Sequence, residues 1–582
     1  MRKKIFYYIL PIFAFIACSE EFTENPAVGA LSDQALQNAE GVDLLLTGAY
    51  SALTGAVNNN GGNQFSVSPD NWWFDVMSDD AHKGSTDGDQ ADLYNLETYT
   101  FTPANPYILG KWEALYGGVN RANAVITVIE GIEGEDFSEK LAEVRFIRGY
   151  LNFELQKIYG NPAFISAENY ANSEFNQPNP GPIWEQIEAD QKFAIENLPD
   201  TQDDAGRPTS WTAKAFLGKT YLFQEKWQEA YDILQDVIQN GPYGLNEEFV
   251  SNFRAGGENS KESVFAIQFA ADDGLSYNGN VGGTLNFPNE SNVLGWCCGF
   301  YVPTQDLVNA YKTGADGLPL LDNYSDTDVV NDYGLNSYKT DGDGNVLEDA
   351  NGDPIPTDFT PETGPLDPRL DYTVGRRGID YNGYGINPGK AWVRNSFSDL
   401  SGPYLPKKNV YYAGEEVNMG TGSWGQQHSG INYNVMRFAG VLLMAAEAAV
   451  ELDDLDTALD YVNQVRERAK NSSYVQAEDG SPAANYNIEP YDSFPDKEFA
   501  LKAVRFERRL ELAMEGHRYF DLARWGPTFM KNTIDEYVAN ETETIPNFGP
   551  KVSPFKEYMV IMPIPTTAID LSGNVLEQNP QY

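Results

Sequence analysis

The sequence predicts a mostly α-helical protein in which tetratricopeptide-like helical pairs form a scaffold with an inserted loop-rich, short-strand region. Three observations predict this fold class. One segment has the residue spacing of a tetratricopeptide repeat, a weaker copy occurs nearer the C-terminus, and between them short strand-like runs lie among Gly, Asn, Asp and Pro clusters. Two such pairs so far apart indicate a solenoid interrupted by an insertion.

Residues 1–17 have the layout of a secretory signal peptide, with an apolar run too short to span a bilayer as a mature helix. Cys18 follows Ala17, and acidic residues come shortly after it. This arrangement resembles a lipobox with the surface-export signal of Bacteroidetes lipoproteins, although Phe15 departs from the usual small aliphatic residue. We expect lipidation of Cys18 and a lipid-anchored, surface-exposed location on the cell outer membrane. An ordinary secreted protein is the alternative.

The composition argues against several classes of partner. The chain carries 85 acidic and 40 basic residues, a formal net charge of −45, which would repel the phosphate backbone of a nucleic acid. Neutral ligands are unaffected by this field, whereas polyanionic ligands are disfavoured unless a local basic patch overrides it. Many of the 34 Tyr and 10 Trp residues lie in Gly-, Asn- and Asp-rich stretches. Such residues suit exposed surfaces that stack on sugars.

Cysteine and histidine offer little for cross-links or metal binding. Apart from Cys18, only Cys297 and Cys298 are present, too few for a disulfide framework. The three histidines are far apart, and neither an HExxH nor a CxxC motif occurs. We therefore expect no zinc site and no cofactor.

In the N-terminal half, residues 18–250, apolar residues recur at helical spacing. This spacing predicts helices over residues 31–53, 107–130, 141–159 and 184–198. The clearest repeat unit follows from Lys214 to Pro242, with Leu217, Gly218, Tyr221, Ala230, Leu234 and Val237 at the repeat positions. Gly218 and Ala230 are small where two antiparallel helices cross closely, and Leu234 fills the groove between them.

The insert, residues 251–430, contains a strand-like run over 263–269 and a segment that resembles the start of a calcium loop. Asp341, Asp343 and Asn345 would supply oxygen ligands there. The glycine and the bidentate glutamate that such a loop needs are replaced by other residues. The sequence therefore favours a tight acidic turn over a calcium site.

The C-terminal half, residues 431–582, contains the weaker repeat unit. Ala446 takes the Gly position, Ala458 is the small residue of the second helix, and the turn falls at Asp453 and Asp454. A later helix over 499–513 has one apolar stripe. Its other faces carry Arg505, Arg508, Arg509, Glu507, Glu511 and Glu515. We expect these charges to face solvent or to form a salt network with a neighbouring helix.

Motifs along the chain resemble the SusD/RagB family of nutrient-uptake lipoproteins. The motifs are Arg145-Phe-Ile-Arg-Gly-Tyr, Asp367-Pro-Arg-Leu, Asn434-Val-Met-Arg-Phe-Ala-Gly, Asn463-Gln-Val-Arg-Glu-Arg-Ala, the charged helix from Arg505, Met562-Pro-Ile-Pro and Gln578-Asn-Pro-Gln-Tyr. The resemblance covers nearly the whole mature chain. It implies a helical scaffold whose insert carries the ligand contacts, and a TonB-dependent, SusC-like outer-membrane transporter as partner.

The resemblance also limits the function. Most family members with known ligands bind glycans without converting them, whereas RagB-like members serve peptide import. We therefore expect a lipoprotein that binds an oligo- or polysaccharide, with a neutral glycan favoured, and passes it to the transporter without catalysis. A peptide-binding subunit is the nearest alternative. A glycoside hydrolase is a weaker one, because carboxylate pairs are unavoidable on so acidic a chain and are no evidence of catalysis.

A sugar ring stacks on an aromatic plane, and its hydroxyl groups form hydrogen bonds with polar side chains. Two stretches of the sequence combine such aromatic and polar residues. The first contains Trp72 and Trp73, of which we expect one in the core and one at the surface. It also contains Asp79 and Asp80, which are candidate hydroxyl acceptors. Helix capping is the alternative role of Asp79.

The second stretch is Gly295-Trp-Cys-Cys-Gly-Phe-Tyr. An oxidising exterior favours a vicinal disulfide between Cys297 and Cys298, whose flat face would pack on a sugar ring; two free buried thiols are the alternative. Trp296 is the strongest candidate for stacking, unless it only anchors the insert to the scaffold. Lesser candidates in the insert are Trp392, Tyr404 and Trp424.

Overall fold

Helices make up most of the regular structure, and short strands fasten the loops between them. The computed structural model describes residues 36–55, 63–271, 279–280, 286, 288, 298–397, 400–408, 410–415, 419–421 and 427–582. No helix in these ranges combines the length and the apolar character that a membrane span requires. The predicted fold class, mostly α with helical pairs and a loop-rich insert, is confirmed.

The regular structure of the described N-terminal half is helical apart from one short strand. Its elements are α1 (Ala39–Ala52), α2 (Trp72–Asp75), β1 (Ala81–Gly84), α3 (Ala91–Glu97), α4 (Pro106–Glu130), α5 (Ser138–Tyr159), α6 (Ala167–Ala171), α7 (Trp184–Asn197), α8 (Ser210–Leu222) and α9 (Trp227–Asn240). The predictions over 107–130, 141–159 and 184–198 are confirmed. Of the predicted helix over 31–53, the described part contains α1 from Ala39, which Asn38 caps by accepting from Gly41 N; residues 31–35 lie outside the described residues.

The insert contains mostly short strands. They and the short helices are β2 (Ser263–Ile267), β3 (Phe300–Pro303), α10 (Gln305–Ala310), α11 (Leu370–Thr373), β4 (Val374–Gly375), β5 (Leu405–Pro406), β6 (Met419–Thr421) and β7 (Gln427–Ser429). The strands of the described ranges pair antiparallel in twos: β1 with β3, β2 with β8, β4 with β5, and β6 with β7. Two of these pairings join the insert to the scaffold, because β1 and β8 lie outside the insert.

The C-terminal half returns to helices. Its elements are β8 (Tyr433–Arg437), α12 (Phe438–Glu451), α13 (Leu455–Asn471), α14 (Lys497–Leu512), α15 (Arg518–Arg524), α16 (Pro527–Thr544) and α17 (Thr566–Leu571). Turns of 3₁₀-helix occur at Phe249–Phe253, Ala255–Gly257, Gly549–Lys551 and Glu557–Val560.

The long helices form one continuous array. Packing proceeds from α1 to α4, α5, α7, α8 and α9, and then from α9 to α12, which contacts α13 and α14. The two predicted helical pairs are therefore α8 with α9 and α12 with α13, and they are direct neighbours despite the insert. Tyr231 of α9 donates a hydrogen bond to Asp454 at the start of α13, at 2.9 Å.

Close crossing of α8 and α9 explains the small residue at Gly218. A Cβ atom added there would lie 2.5 Å from Leu234 Cδ2, and Leu234 is fully buried. Ala230 and Val237 are also fully buried in this crossing. The predicted packing of this repeat unit is confirmed.

A buried network of charges joins α14 to its neighbours. Arg437 contacts Glu511, Glu515 and Glu262 at 2.6–2.9 Å. Arg369 contacts Glu507 at 2.7 Å. Further ion pairs of the same network are Arg369–Asp367, Arg369–Glu511, Arg466–Glu507, Arg468–Glu262, Arg468–Glu511 and Lys408–Glu515. The charges in and after α14 were expected either to face solvent or to form a salt network. Glu507, Glu511 and Glu515 are buried and ion-paired, so the salt network is confirmed for these three residues.

Candidate ligand-binding face

The first predicted stretch lies in the core and not at the surface. Trp72 and Trp73 open α2 and are 1 % and 0 % exposed. Their indole N–H groups donate to the carbonyls of Phe65 and Ser66, at 3.1 Å each. The expectation that one of the two reaches the surface is therefore wrong: a short helix, not an extended strand, places both rings inside, and a ring with no exposed face cannot stack on a sugar.

Asp79 and Asp80 are also buried, so their assignment as hydroxyl acceptors is wrong. Asp79 receives two hydrogen bonds from Arg518, at 2.7 and 2.8 Å, and Arg509 Nε lies 2.9 Å from Asp80 Oδ1. Burial alone would raise the pKa of Asp79, but Arg509 and Arg518 lower it to about 2. Asp306 contacts the same Arg509 at 2.8 Å. These carboxylates hold the N-terminal half against α14 and α15.

His82 and Lys83 fix the loop that follows β1. The His82 ring lies between Glu97 and Glu541, with both N···O distances 2.8 Å and all three side chains buried. Lys83 Nζ donates to the carbonyls of Gly84, Thr86 and Asp89, at 2.7–2.9 Å. The buried ammonium group of Lys83 therefore holds the loop over residues 84–90 in place.

This loop meets the second predicted stretch through one arginine. Arg394 Nη1 lies 2.6 Å from Asp89 Oδ2 and 3.2 Å from the carbonyl of Cys298. Ser85 Oγ also donates to Asp89, at 3.0 Å. The side chains of Arg394 and Asp89 are 30 % and 34 % exposed. Their partly exposed charges can accept or donate hydrogen bonds to a ligand.

Cys298 is disulfide-bonded and buried. The other two cysteines, Cys18 and Cys297, lie outside the described residues, as do Trp296 and Trp424. The vicinal disulfide and the stacking role of Trp296 therefore stay predictions. The described part of this stretch is held in place by pairing of β3 with β1, in which Phe300 lies opposite Gly84.

Tyr404 and Trp392 support the insert from inside and do not face a ligand. Tyr404 is 2 % exposed and donates to Gln305 Oε1 at 2.7 Å. Trp392 is 5 % exposed and packs edge-on against Tyr381, with 6.0 Å between ring centroids. Their assignment as ligand-contacting residues is wrong because both rings are enclosed, Tyr404 by the main core of the protein and Trp392 by a small core of the insert.

Two aromatic residues that the sequence analysis did not select lie nearby, the exposed Tyr333 and the half-buried Phe397. Tyr333 is 57 % exposed and contacts Phe397 edge-to-face, with 5.2 Å between centroids. We call this pair the aromatic platform. Gln305 supports it, because Asn331 donates to Gln305 Oε1 at 3.0 Å and accepts from Tyr333 N at 3.0 Å. Tyr404 donates to the same Gln305 oxygen, so it supports the platform indirectly, through Gln305 and Asn331.

Left-handed backbone at non-glycine residues occurs at several places along the chain, four of them around the platform and the loop after β1. Asn395 and Phe397 have φ of 52° and 56°, and Ser85 and Gln90 have φ of 57° and 54°. Non-glycine residues rarely adopt this left-handed conformation, and such residues cluster at functional sites. We therefore take the aromatic platform, the Asp89–Arg394 pair and the neighbouring Cys298 segment as the candidate ligand-binding face.

The platform residues had a signal in the sequence. Tyr333 follows Asn331-Asp and precedes Gly, and Phe397 follows Asn395-Ser. Aromatic residues in Asn-, Asp- and Gly-rich loops are the pattern that indicates exposed stacking surfaces. What the sequence lacks is the distance between the two loops, which only the fold brings together.

The predicted acidic turn at Asp341 forms as a side-chain-capped turn. Asp341 Oδ1 accepts from the backbone N–H groups of Asp343 and Asn345, each at 2.9 Å. Its other oxygen accepts from Asn345 Nδ2 at 3.0 Å. These hydrogen bonds stabilise the acidic turn, and among the described residues no group of three or more His, Cys, Asp and Glu side chains is placed to hold a metal ion.

An apolar cleft of about 350 Å³ on the scaffold is a second surface that a ligand can reach. It lies beside α4 and α17, and its wall includes Trp112, Tyr116, Phe175 and Leu571. It offers aromatic rings but no charged pair of the kind that Asp89 and Arg394 form. It therefore serves as a comparison surface for the candidate face.

An array of paired helices that carries a loop-built aromatic surface defines a helical-repeat ligand-binding scaffold. Residues 261–582, more than half of the chain, match a family model described as "SusD family". Residues 31–222 match one described as "Starch-binding associating with outer membrane". The chain belongs to the SusD family.

Individual relatives agree with this assignment. SusD-like protein P25 from Formosa agariphila is 23% identical over 606 residues, covering 99% of this chain and 98% of the relative. A SusD-like carbohydrate binding protein from Bacteroides fragilis superposes with a TM-score of 0.67, at 22% identity, over 93% of this chain and 99% of that chain. Surface glycan-binding protein A from Bacteroides thetaiotaomicron, solved with laminarihexaose, has a TM-score of 0.63 at 19% identity, over 93% and 99%. These structural likenesses establish the shared fold.

Proposed function

We propose that this protein binds a neutral oligo- or polysaccharide at its candidate ligand-binding face and passes it to a TonB-dependent, SusC-like outer-membrane transporter without catalysis. The observation that carries the proposal is the pair of exposed Tyr333 and half-buried Phe397 beside the partly exposed Asp89–Arg394 pair. A sugar ring stacks on an aromatic plane while its hydroxyls exchange hydrogen bonds with adjacent charged groups. The carbohydrate-binding relatives of the same fold support this assignment.

Affinity electrophoresis in gels that contain laminarin, levan, starch or xylan tests the ligand class. We expect retardation by at least one neutral glycan. The Tyr333→Ala/Phe397→Ala double variant should lose about 1–3 kcal/mol of binding free energy toward that glycan, because it removes both rings of the platform. Phe175→Ala, in the scaffold cleft, is the matched control and should bind like the wild type. If no neutral glycan retards the protein while protein digests bind tightly, peptide import replaces this proposal.

Trp296 and the adjacent residues Cys297 and Cys298 remain part of the proposed site. Trp296→Ala should weaken glycan binding by about 1–3 kcal/mol with the fold intact, as judged by calorimetric titration and circular dichroism. An unchanged titration would assign Trp296 to the anchoring of the insert. Mass mapping of the non-reduced protein would report whether Cys298 pairs with Cys297.

The proposed absence of catalysis agrees with the contacts of the buried carboxylates. Asp79, Asp80 and Asp306 all face arginine, so they lack the open space between two carboxyl groups that a glycosidase needs for its substrate. We expect no reducing ends after incubation with any glycan that binds. Release of reducing ends that stops on mutation of one Asp or Glu pair would establish a hydrolase instead.

The proposed location and partner need separate tests. Labelled palmitate should enter the mature wild-type chain and be absent from Cys18→Ala. Surface proteolysis of intact cells should degrade the wild type, and the transporter should copurify with it from outer membranes. A labelled, cell-surface protein that never copurifies with a transporter would support the anchoring and remove the transport step.

A further inference from the structure

A small cavity of about 30 Å³ lies where the two halves of the scaffold meet. Its wall is formed by α5, α8, β8, α12, α14 and α15 and combines apolar with charged side chains. The polar side chains of the wall are Lys157, Lys219, Arg437, Arg508, His517 and Asp521. The volume exceeds the roughly 10–15 Å³ that one water needs and is far below the several hundred cubic ångströms typical of organic-ligand pockets. It therefore suits a single small ion or water.

Among the described residues, one cation of the wall, Lys219, forms no ion pair. Lys157 pairs with Glu154 at 2.7 Å. Arg508 pairs with Asp521 at 2.8 Å, and Arg437 with three glutamates. Lys219 is 9 % exposed; its ammonium lies 5.5 Å from the centroid of the Phe153 ring and makes no hydrogen bond or ion pair with any described residue. A buried cation without a partner is strongly unfavourable.

Two further groups in the wall have free hydrogen-bonding capacity. Arg508 directs Nε and Nη2 at Asp521, which leaves the buried Nη1 without a hydrogen-bond partner among the described residues. Burial and the charge of Lys219 lower the pKa of His517 to about 3, so its ring is neutral and carries one N–H. Burial and the charge of Lys157 likewise lower the pKa of Lys219 to about 7. The cavity is thus lined by donors that lack an acceptor.

We propose that this cavity binds one small monovalent anion of chloride size, with Lys219 as its counter-charge and Arg508 Nη1 and the His517 N–H as hydrogen-bond donors. The anion supplies the acceptor that the three donors lack. Because Lys219 belongs to α8, Arg508 to α14 and His517 directly precedes α15, the bound anion links the N-terminal half of the scaffold to the C-terminal half.

Bromide diffraction on the wild-type mature chain tests the proposal directly. Crystals soaked in sodium bromide should show an anomalous peak inside the cavity. The thermal unfolding midpoint should also be higher, by about 1–3 °C, in chloride than in isethionate at equal ionic strength, because the larger anion does not fit. A cavity that holds only water, together with equal midpoints in both salts, would overturn the proposal.

Variants on one helix provide the control. Lys219→Met should abolish the bromide peak and the chloride dependence of the midpoint. Its midpoint in isethionate should be at least that of the wild type, because an unmatched buried cation is removed. Lys214→Met lies on the same α8, where Lys214 pairs with Asp236 at 2.7 Å, and should keep the chloride dependence. If Lys219→Met also keeps it, the anion binds elsewhere and the assignment is wrong.

Discussion

Single buried arginines determine how the acidic segment after α2 is held. Arg509 contacts Asp80 and Asp306 at 2.8–2.9 Å and Asp79 at 3.2 Å, and all four side chains are at most 1 % exposed. The same guanidinium holds one loop of the N-terminal half and one helix of the insert. Because a buried carboxylate without a cation is unstable, one side chain on α14 controls the position of both.

We expect Arg509→Met to destabilise the protein by about 3–5 kcal/mol, since it leaves several buried carboxylates without their shared cation. Urea unfolding followed by tryptophan fluorescence measures the change. Lys531→Met is the control: Lys531 pairs with Asp535 on the exposed face of α16, with both side chains more than a third exposed. Its loss should change stability by less than about 0.5 kcal/mol. Equal losses in the two variants would contradict the role given to Arg509.

The His82 cluster predicts a pH dependence. Burial alone would lower the pKa of His82, but Glu541 and Glu97 raise it to about 9, above its ordinary 6.5. Because the folded state holds the proton more tightly, this contribution is complete below about pH 6.5 and is lost as the pH rises through 9. It amounts to roughly 3 kcal/mol over that interval.

Unfolding free energies of the wild type and His82→Gln should therefore converge between pH 6.5 and 9. Lys83, whose pKa burial lowers to about 8, contributes in the opposite direction, but it is present in both proteins and cancels in the difference. Two parallel curves over this pH range would show that His82 is not protonated in the folded state.

At the residue scale, the sequence indicated polarity and aromaticity but not burial. Trp72 and Trp73 were expected on opposite sides of an extended segment, yet they belong to a four-residue helix that buries both. Asp79 and Asp80 could not be identified as ion-paired, because their cations, Arg509 and Arg518, lie at the other end of the chain. Pairing over such distances depends on the complete fold.

At the scale of elements, a close helix crossing leaves little space for a side chain at Gly218, whereas the space around Gly48 is open. Gly218 in α8 faces the buried Leu234 of α9 at 2.5 Å from a built Cβ, whereas a Cβ at Gly48 in α1 would meet nothing within 4 Å. Both glycines lie inside helices, so both would gain the same helix propensity on substitution by alanine. The difference between them reports the packing alone.

Gly48→Ala should raise the unfolding free energy by about 0.5–1 kcal/mol, the usual gain when alanine replaces a helical glycine. Gly218→Ala should lower it by about 1 kcal/mol, because overpacking at Leu234 exceeds that gain. Thermal and urea unfolding of the two variants provide the measurement. A stabilised Gly218→Ala protein would mean that α9 moves away at little cost.

Element boundaries followed from the sequence where apolar spacing was long and regular. The predictions for α4, α5 and α7 were within a few residues, and the small residues at Gly218 and Ala230 identified the α8–α9 crossing. The short strands were harder to predict. Only β2 was expected, because pairs such as β1 with β3 join segments whose own sequence shows no alternation.

At the scale of the whole molecule, the net charge of −45 sets which ligands can approach. The buried arginines are already neutralised by carboxylates, so they do not offset the field at the surface. A neutral ligand crosses such a field without hindrance, whereas an anionic ligand is repelled over about one Debye length.

Binding of a neutral glycan should therefore be independent of salt, while binding of its sulfated counterpart should strengthen as salt increases. Between about 0.01 M and 0.1 M salt the Debye length falls from about 30 to 10 Å, so repulsion is progressively screened. Calorimetric titration of the two ligands in both buffers tests this expectation. Stronger binding of the sulfated ligand at low salt would indicate a local basic patch at the candidate face.

The family resemblance predicted the overall architecture, because its motifs lie on the helices that form the core of the array. The candidate face was only partly predictable. Its residues come from three loops around Asp89, Tyr333 and Phe397, and their convergence depends on the pairing of β1 with β3 and on the contacts of Arg394. Local sequence contains no information about that convergence.

The pairing of Asp79 and Asp80 with Arg509 and Arg518 spans 429 and 439 residues of sequence. While the chain emerges from the ribosome, these carboxylates have no counter-ion until the last part of the polypeptide has been synthesised. Contacts of such sequence separation form late and slow the acquisition of native structure. We therefore expect the acidic segment after α2 to reach its native position only after α14 and α15 have been synthesised.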